Sequence, residues 1–265
     1  MEPTFYPRHV LAIHAHPDDV EILAAGTLMR LIELGHRVTI VTMTAGDCGT
    51  AEYGPEEIAE IRREEARSAA SMIGAEYLCA EFKDLAIFSD DRSRRRVTEL
   101  LRRVQPDIVI TASPVDYHCD HEATSLLVRD GCFGAPAPNY MTGGDAPLLR
   151  AIPHLYFCDP DEGRDREGNP VTPHFVVDVA GYMERKAEML GRHVSQRNWL
   201  KKHHGMDNYI ETMDHWTRCR GRLAKLDYGE GFRQYMCHPY PTTPVLQDML
   251  GHSAVHTVTA RALVD

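Results

Sequence analysis

Two clusters of ionisable residues stand out in this chain of 265 residues. The first, His16-Pro17-Asp18-Asp19, follows the apolar run Val10-Leu11-Ala12-Ile13. The second, His118-Cys119-Asp120-His121, lies a few residues past the run Asp107-Ile108-Val109-Ile110-Thr111. Three ionisable groups beside a proline repel and desolvate one another unless a cation or a proton intervenes. The plain role for Asp18 or Asp19 is to cap the helix that follows. The chemical role is that a histidine and a carboxylate three positions apart grip one metal, while the neighbouring carboxylate stays free as a base. In the second cluster Asp120 falls near a helix N-cap, and histidines at i and i+3 on a first helical turn face the same way. One can bind metal while the other faces a substrate. Neutral imidazoles, a carboxylate and an open position for water make the layout of catalytic zinc. Such an ion lowers the pKa of its water to about 7 and polarises a carbonyl. A free carboxylate takes the water's proton, and an imidazolium opposite stabilises an oxyanion or protonates a leaving amine. Spacing alone leaves open which member of each pair holds the metal.

These clusters work only if the fold brings them together. The first half of the chain alternates strand and helix patterns. Val10–Ile13 is followed by helix-favouring residues from Glu21 to Leu34, ending at Gly35. Val38–Met43 is a β-branched strand, Glu56–Ile73 a charged amphipathic helix stopped by Gly74, and Glu76–Cys79 a short third strand. Arg92–Val104 reads as a helix whose arginines at 92, 94, 95, 96, 102 and 103 form a solvated face, and Pro106 introduces the next strand. Leu155–Phe157 and His174–Val179 are later strands, and a helix runs from Met183 to about His193. This order predicts an α/β fold, a three-layer Rossmann-like and mostly parallel sheet with helices on both faces. Ligands of such sheets sit beyond the carboxyl ends of the strands, where both clusters fall. One domain over residues 1–265 is expected, with about 199–265 as a C-terminal extension packed on it. The Pro/Gly-rich stretch 134–147 is long for a connection and is expected to shape the substrate pocket.

Composition narrows the class. The net charge of −10 argues against nucleic acid or an anionic membrane as partner. No apolar run reaches the roughly 18 residues that span a bilayer, and no secretory leader is expected. Seven scattered cysteines, without a CxxC pair, suggest neither a zinc knuckle nor a disulfide framework, which fits the cytoplasm.

Ala15-His16-Pro17-Asp18-Asp19-Val20-Glu21, with His118-Cys119-Asp120-His121, resembles the zinc-dependent N-deacetylases of the LmbE / PIG-L family, which act on N-acetylglucosamine compounds. Thr44-Ala45-Gly46-Asp47 resembles the family's loop after strand two. Arg62-Arg63-Glu64-Glu65-Ala66 with Ile73-Gly74 resembles its R-x-x-E-A helix, and Lys186 with His193-Val194-Ser195-Gln196 its late K…H-x-S-Q segment. The likeness covers roughly residues 8 to 198. It implies zinc ligands at His16, Asp19 and His121, a general base at Asp18, and at His118 an oxyanion stabiliser or acid. It also implies a substrate-binding role for Arg62, and Asp47 is expected beside it. Some members carry a tyrosine two residues before the first histidine of HxDH. Here that place holds Asp116, expected with Asp120 to orient the histidines, and Tyr117 is adjacent. The implied reaction removes acetyl from an N-acetylated sugar or glycoside, giving acetate and a free amine. Fe2+, Co2+ or Mn2+ could replace Zn2+ in such a site. Oligomeric state is left open, a homo-oligomer included.

Other readings are weaker. His14 makes the string HxHxDD, similar to motifs of metallo-β-lactamase-like hydrolases and amidohydrolases. The former begin with antiparallel strands and the latter need a longer barrel, so His14 is expected to be a satisfied strand-end residue. A nucleotide-binding α/β module would need GxGxxG where HPDDVE stands, and its carboxylates would repel a pyrophosphate. Tyr156, Tyr209 and Trp216 are expected in the core or at subunit contacts.

Overall fold

The structure, a computed structural model, describes residues 6–205 and 208–258. Among the described residues, eight strands form one sheet in the order β3-β2-β1-β4-β5-β7-β6-β8. Strands β1 (His9–His14), β2 (Arg37–Thr44), β3 (Glu76–Phe82), β4 (Ile108–Thr111) and β5 (His154–Cys158) are parallel. Strands β6 (Phe175–Asp178), β7 (Gly229–Gln234) and β8 (Val255–Thr257) continue the sheet antiparallel to their neighbours. The inner parallel strands are apolar on both faces, as a sheet covered twice must be. Val10 and Ala12 of β1 belong to one core cluster, while Leu11 and Ile13 belong to the other.

Helices α2 (Ala25–Glu33), α3 (Pro55–Ile73), α6 (Met183–Leu190) and α9 (Val245–Leu250) cover the first face, and α4 (Asp91–Val104) and α5 (Cys119–Gly134) the second. Helix α3 starts at Pro55 and ends on Gly74 at φ 82, the left-handed turn that suits glycine. Asp90 caps α4 by accepting from the Ser93 N–H at 2.7 Å. A third, smaller cluster joins Leu190 of α6 to Tyr209 and Met213 of α8 (Tyr209–Arg222), with Ile22 of α1 (Asp19–Leu23) and Leu200 of α7 (Val194–His204) against it. Among the described residues no helix is long and apolar enough to cross a membrane.

Four expectations change. The helix expected over Glu21–Leu34 is two, α1 and α2, broken at Ala24. Glu230 of β7 accepts the Gly26 and Thr27 N–H groups at 3.0 and 2.8 Å, and so caps a new helix start from the far end of the sequence. Lys186 of α6 neutralises that buried carboxylate at 2.5 Å. The arginine face of α4 is not wholly solvated. Arg102 is buried and donates to the carbonyls of Ala135 at 3.0 Å, Gly134 at 3.3 Å and Ala137 at 3.0 Å. Residues 134–147 are therefore bound down on α4, where the Thr142 hydroxyl also donates to Glu99 at 2.6 Å, and none of them lines the cavity described below. Finally, the stretch after 199 does more than pack on a finished domain. It supplies β7, which lies between β5 and β6; residues 259–265 lie outside the described residues.

Candidate metal centre and active-site cavity

Strands β1 and β4 are neighbours, and the strand order reverses between them. Their carboxyl ends deliver the two clusters to one place. His16 Nδ1, Asp19 Oδ2 and His121 Nε2 form a triangle with sides of 3.3, 3.4 and 3.3 Å. A tetrahedral ion with bonds of about 2.0–2.1 Å needs ligand-to-ligand edges of about 3.3–3.4 Å. The three donor atoms therefore match one face of such a coordination sphere. His118 stands beside them, its ring centroid 4.7 Å from that of His16 and 4.9 Å from that of His121.

The supporting contacts orient each group. Asp19 Oδ2 accepts the His16 N–H at 2.7 Å and lies 2.6 Å from His14 Nδ1, so His14 is a buried partner of Asp19. Asp116 Oδ1 lies 3.1 Å from His121 Nδ1, the nitrogen that faces away from the triangle. His16 Nε2 faces Asp84 at 3.2 Å and Asp120 at 3.5 Å. Asp120 also accepts the N–H groups of Leu85 and Ile87 at 2.8 and 3.3 Å, pinning the loop after β3. Leu85 sits there at φ 58, in the left-handed region. The cap of α5 is His118 and not Asp120: its Nδ1 accepts the Asp120 N–H at 3.2 Å, which leaves Nε2 to carry the proton.

Asp18 occupies the N-cap position of α1 but caps nothing. Its φ of 102 is a strained conformation for aspartate, and its carboxylate accepts the Tyr209 hydroxyl at 2.5 Å. Burial, with the charge of Asp19, pushes the Asp18 carboxyl up to about 6, against the pull of Arg62, His193 and Tyr209. Asp19 goes the other way. Burial opposes its charge, but His14, His121 and His16 hold it well below the usual carboxylate range. His121 is raised to about 10, because Asp19 and Asp116 outweigh the desolvation of its ring. His16 is likewise raised by Asp19, Asp120 and Asp84 against burial. Burial and the nearby His16 and His121 lower His118, which is neutral at pH 7.

A cavity of about 560 Å³ opens over this cluster. Arg62 lines it, buried and held by the carbonyls of Gly46 at 3.3 Å and Pro17 at 3.2 Å, with Nε buried and unbonded. Asp47 does not line it; its carboxylate is spent on Lys83 Nζ at 3.1 Å and the Asp84 N–H at 2.8 Å. In the late segment, His193 contacts Glu21 at 3.0 Å, Ser195 bonds to Glu65, and Gln196 reaches the cavity with a buried, unbonded Oε1.

Several cavity residues escaped the sequence reading. Asp84 and Asp161 stand a few residues past β3 and β5, so the rule applied to β1 and β4 would have found them had it been applied to every strand. Tyr209, Trp199 and Trp216 come from helices far along the chain, with no local signal. Tyr209 and Trp216 are thus not merely core or contact residues, whereas Tyr156 is core. Tyr117 also lines the cavity, its ring 5.6 Å from that of His118.

Comparison with known proteins places this arrangement. The N,N'-diacetylchitobiose deacetylase from Pyrococcus horikoshii superimposes with a TM-score of 0.73 at 26% identity, over 90% of this chain and 88% of that one. The 4-oxalmesaconate hydratase of Pseudomonas putida is 26% identical over 187 residues, 68% of this chain and 70% of its own. An uncharacterized deacetylase of Escherichia coli, YaiS, is 33% identical over 139 residues, 48% of this chain and 69% of its own. Residues 11–132, which carry both clusters, match the description of the GlcNAc-PI de-N-acetylases, PIG-L. With the sheet order and the convergent HPDD and HCDH segments, these likenesses mean that the chain belongs to the PIG-L family of de-N-acetylases.

Proposed function

We propose that the protein is a metal-dependent hydrolase that removes acetyl from an N-acetylglucosamine-type sugar or glycoside, releasing acetate and a free amine. The observation that carries this reading is the donor triangle of His16, Asp19 and His121, beside an unspent carboxylate and a neutral imidazole. Those three residues would hold a divalent metal, zinc in this reading, which when bound supplies an acidified water and polarises the amide carbonyl. Asp18 takes the proton as water attacks and returns it to the departing nitrogen. A carboxyl near 6 suits both steps, being ionised at neutral pH yet basic enough to hold a proton briefly. His118, with Nδ1 occupied by the Asp120 N–H, directs Nε2–H at the developing oxyanion. Arg62 is fixed on two carbonyls through Nη1 and Nη2, and the second N–H of each of those nitrogens is left for the sugar.

The hydratase relative brings a second chemistry, water addition to 4-oxalmesaconate. The carboxyl of Asp18, able to take and return a proton beside the donor triangle, together with the match to a de-N-acetylase family over the residues that carry both clusters, favours the amide. Acetate release from N-acetylglucosaminides, with and without chelator, tests the proposal. Asp18→Ala is expected to keep its metal and lose about 10²–10⁴-fold in kcat; full activity in that variant overturns the mechanism. His121→Ala is expected to lose the metal, and an unchanged metal content would remove His121 from the ligand set.

A further inference from the structure

We propose that the outer face of α4 carries an anion site, separate from the metal centre, for a small molecule with two or more linked phosphoryl groups. Six arginines fall within the 14 residues of α4, in a chain whose net charge is −10. The fold engages two of them. Arg94 pairs with Asp130 at 3.3 Å, and Arg102 is buried on the carbonyls of Gly134, Ala135 and Ala137. The other four, Arg92, Arg95, Arg96 and Arg103, line one groove of about 690 Å³. It shares no lining residue with the active-site cavity, so the site does not depend on the deacetylase reading.

The groove lies between α4 and β3, the edge strand of the sheet, and residues 142–144 complete its lining. Its carboxylates are already matched. Glu81 is gripped by Arg63 at 2.9 and 3.1 Å, and Asp91 accepts from Arg95 Nε at 2.8 Å. Glu99 accepts the Thr142 hydroxyl at 2.6 Å and Arg103 Nε at 3.3 Å. Arg95 is held further by the Met141 carbonyl and lies 4.8 Å over the Tyr140 ring. Asp90, which feels the charge of Arg92, is turned to the Ser93 N–H as the helix cap. Among the described residues Arg92 and Arg96 are left with no carboxylate in ion-pair contact, and Arg96 lies 4.9 Å over the Phe82 ring. Positions 92, 96 and 103 fall on one face of the helix. The N–H groups of Gly143 and Gly144 meet no acceptor among the described residues. A Cβ at Gly144 would come within 2.0 Å of the Glu99 carboxylate, so only bare backbone fits there.

The chemistry of the unmatched groups names the ligand. A guanidinium presents a planar fork of N–H donors, which phosphoryl oxygens accept in pairs. Arg92 and Arg96 stand about one helical turn apart, and Arg103 extends the positive field about 10 Å further along the axis. Linked phosphoryl groups reach more of that field than a single phosphate does. An acidic polypeptide laid along β3 would instead pass the exposed carboxylates of Glu76 and Glu81, which repel it. The volume is also that of a small-molecule site.

The test titrates the full-length protein, metal-loaded and metal-free, with inorganic pyrophosphate and with inorganic phosphate by calorimetry. Pyrophosphate is expected to bind both forms of the protein, about tenfold more tightly than phosphate. Arg92→Ala and Arg96→Ala should each weaken pyrophosphate about 10–100-fold, the scale of a hydrogen bond to a charged group. Added salt should weaken it in the unaltered protein. An unchanged Tm shows that each variant is folded. No binding up to about 1 mM pyrophosphate, an affinity unmoved in both arginine variants, or binding seen only with metal present would each overturn the inference. A glutamate-rich peptide bound more tightly than pyrophosphate through the same arginines would overturn the phosphorylated ligand and assign the groove to an acidic protein segment.

Discussion

Metal uptake by this site should expel protons, and the structure says how strongly. Without metal, Asp19 and Asp116 raise His121 to about 10, and Asp19, Asp120 and Asp84 raise His16. Both imidazoles point a nitrogen into the same triangle, 3.3 Å apart, where a metal requires lone pairs. With a pKa near 10, His121 is in its ligating form about one part in a thousand at pH 7, an opposing free energy of about 4 kcal/mol. At least one proton must leave for each metal bound. Apparent affinity should therefore rise about tenfold per pH unit per proton displaced, or about 100-fold from pH 6.5 to 8.5 for one proton. Calorimetric titration of the metal-free protein, in buffers of different ionisation enthalpy, counts the protons. Asp116→Asn removes one source of the raised pKa and also the carboxylate facing His121 Nδ1. It should lower metal affinity about 10–100-fold and flatten the pH slope. A Kd flat between pH 6.5 and 8.5, with no proton released, would refute the assignment of His121 to the metal.

Two further outcomes follow from contacts described above. Lys186→Met leaves Glu230 buried without its cation and should cost about 3–5 kcal/mol, seen by calorimetry as a Tm about 6–20 °C lower; adding Glu230→Gln should recover part of it, and an unchanged Tm in the single variant would remove the pair from the fold's supports. Tyr209→Phe deletes a donor that holds the Asp18 pKa down. The acid limb of kcat/KM should move to higher pH by about 1–2 units, the worth of one hydrogen bond to a charged group, and a limb that stays put or moves to lower pH would exclude Tyr209 from tuning Asp18.

The site was legible where its chemistry is local. His16, Asp18 and Asp19 share one turn, His118 and His121 share one helical turn, and the alternation of strands and helices implied that both turns lie on one edge of a parallel sheet. The spacing could not say which groups would be held apart. Asp18 looks like a cap from its neighbours, and only its backbone angle and the distant Tyr209 reveal that its carboxylate is aimed elsewhere. The same holds for the break at Ala24, whose cause, Glu230, lies some 200 positions away. The arginines of α4 were read as one surface because each alone suits water; Arg102 is taken inside by carbonyls that a Pro/Gly-rich stretch leaves without sheet or helix partners. Trp199 and Trp216, which line the cavity from helices far along the chain, carry no pattern at all, since such positions demand only bulk and place.

The floor and wall of the cavity come from separate parts of the chain: His16 to His121 below, Asp161 to Trp216 above. The metal-facing groups are thus written in the first half of the chain and most of the apolar lining in the second, with Tyr209 joining the two through Asp18. An exchange of α7 leaves the donor triangle and its base untouched, whereas α8 begins at Tyr209, whose hydroxyl is bonded to Asp18. For the engineer, any segment transplanted in place of α8 has to keep a hydroxyl where Tyr209 meets Asp18.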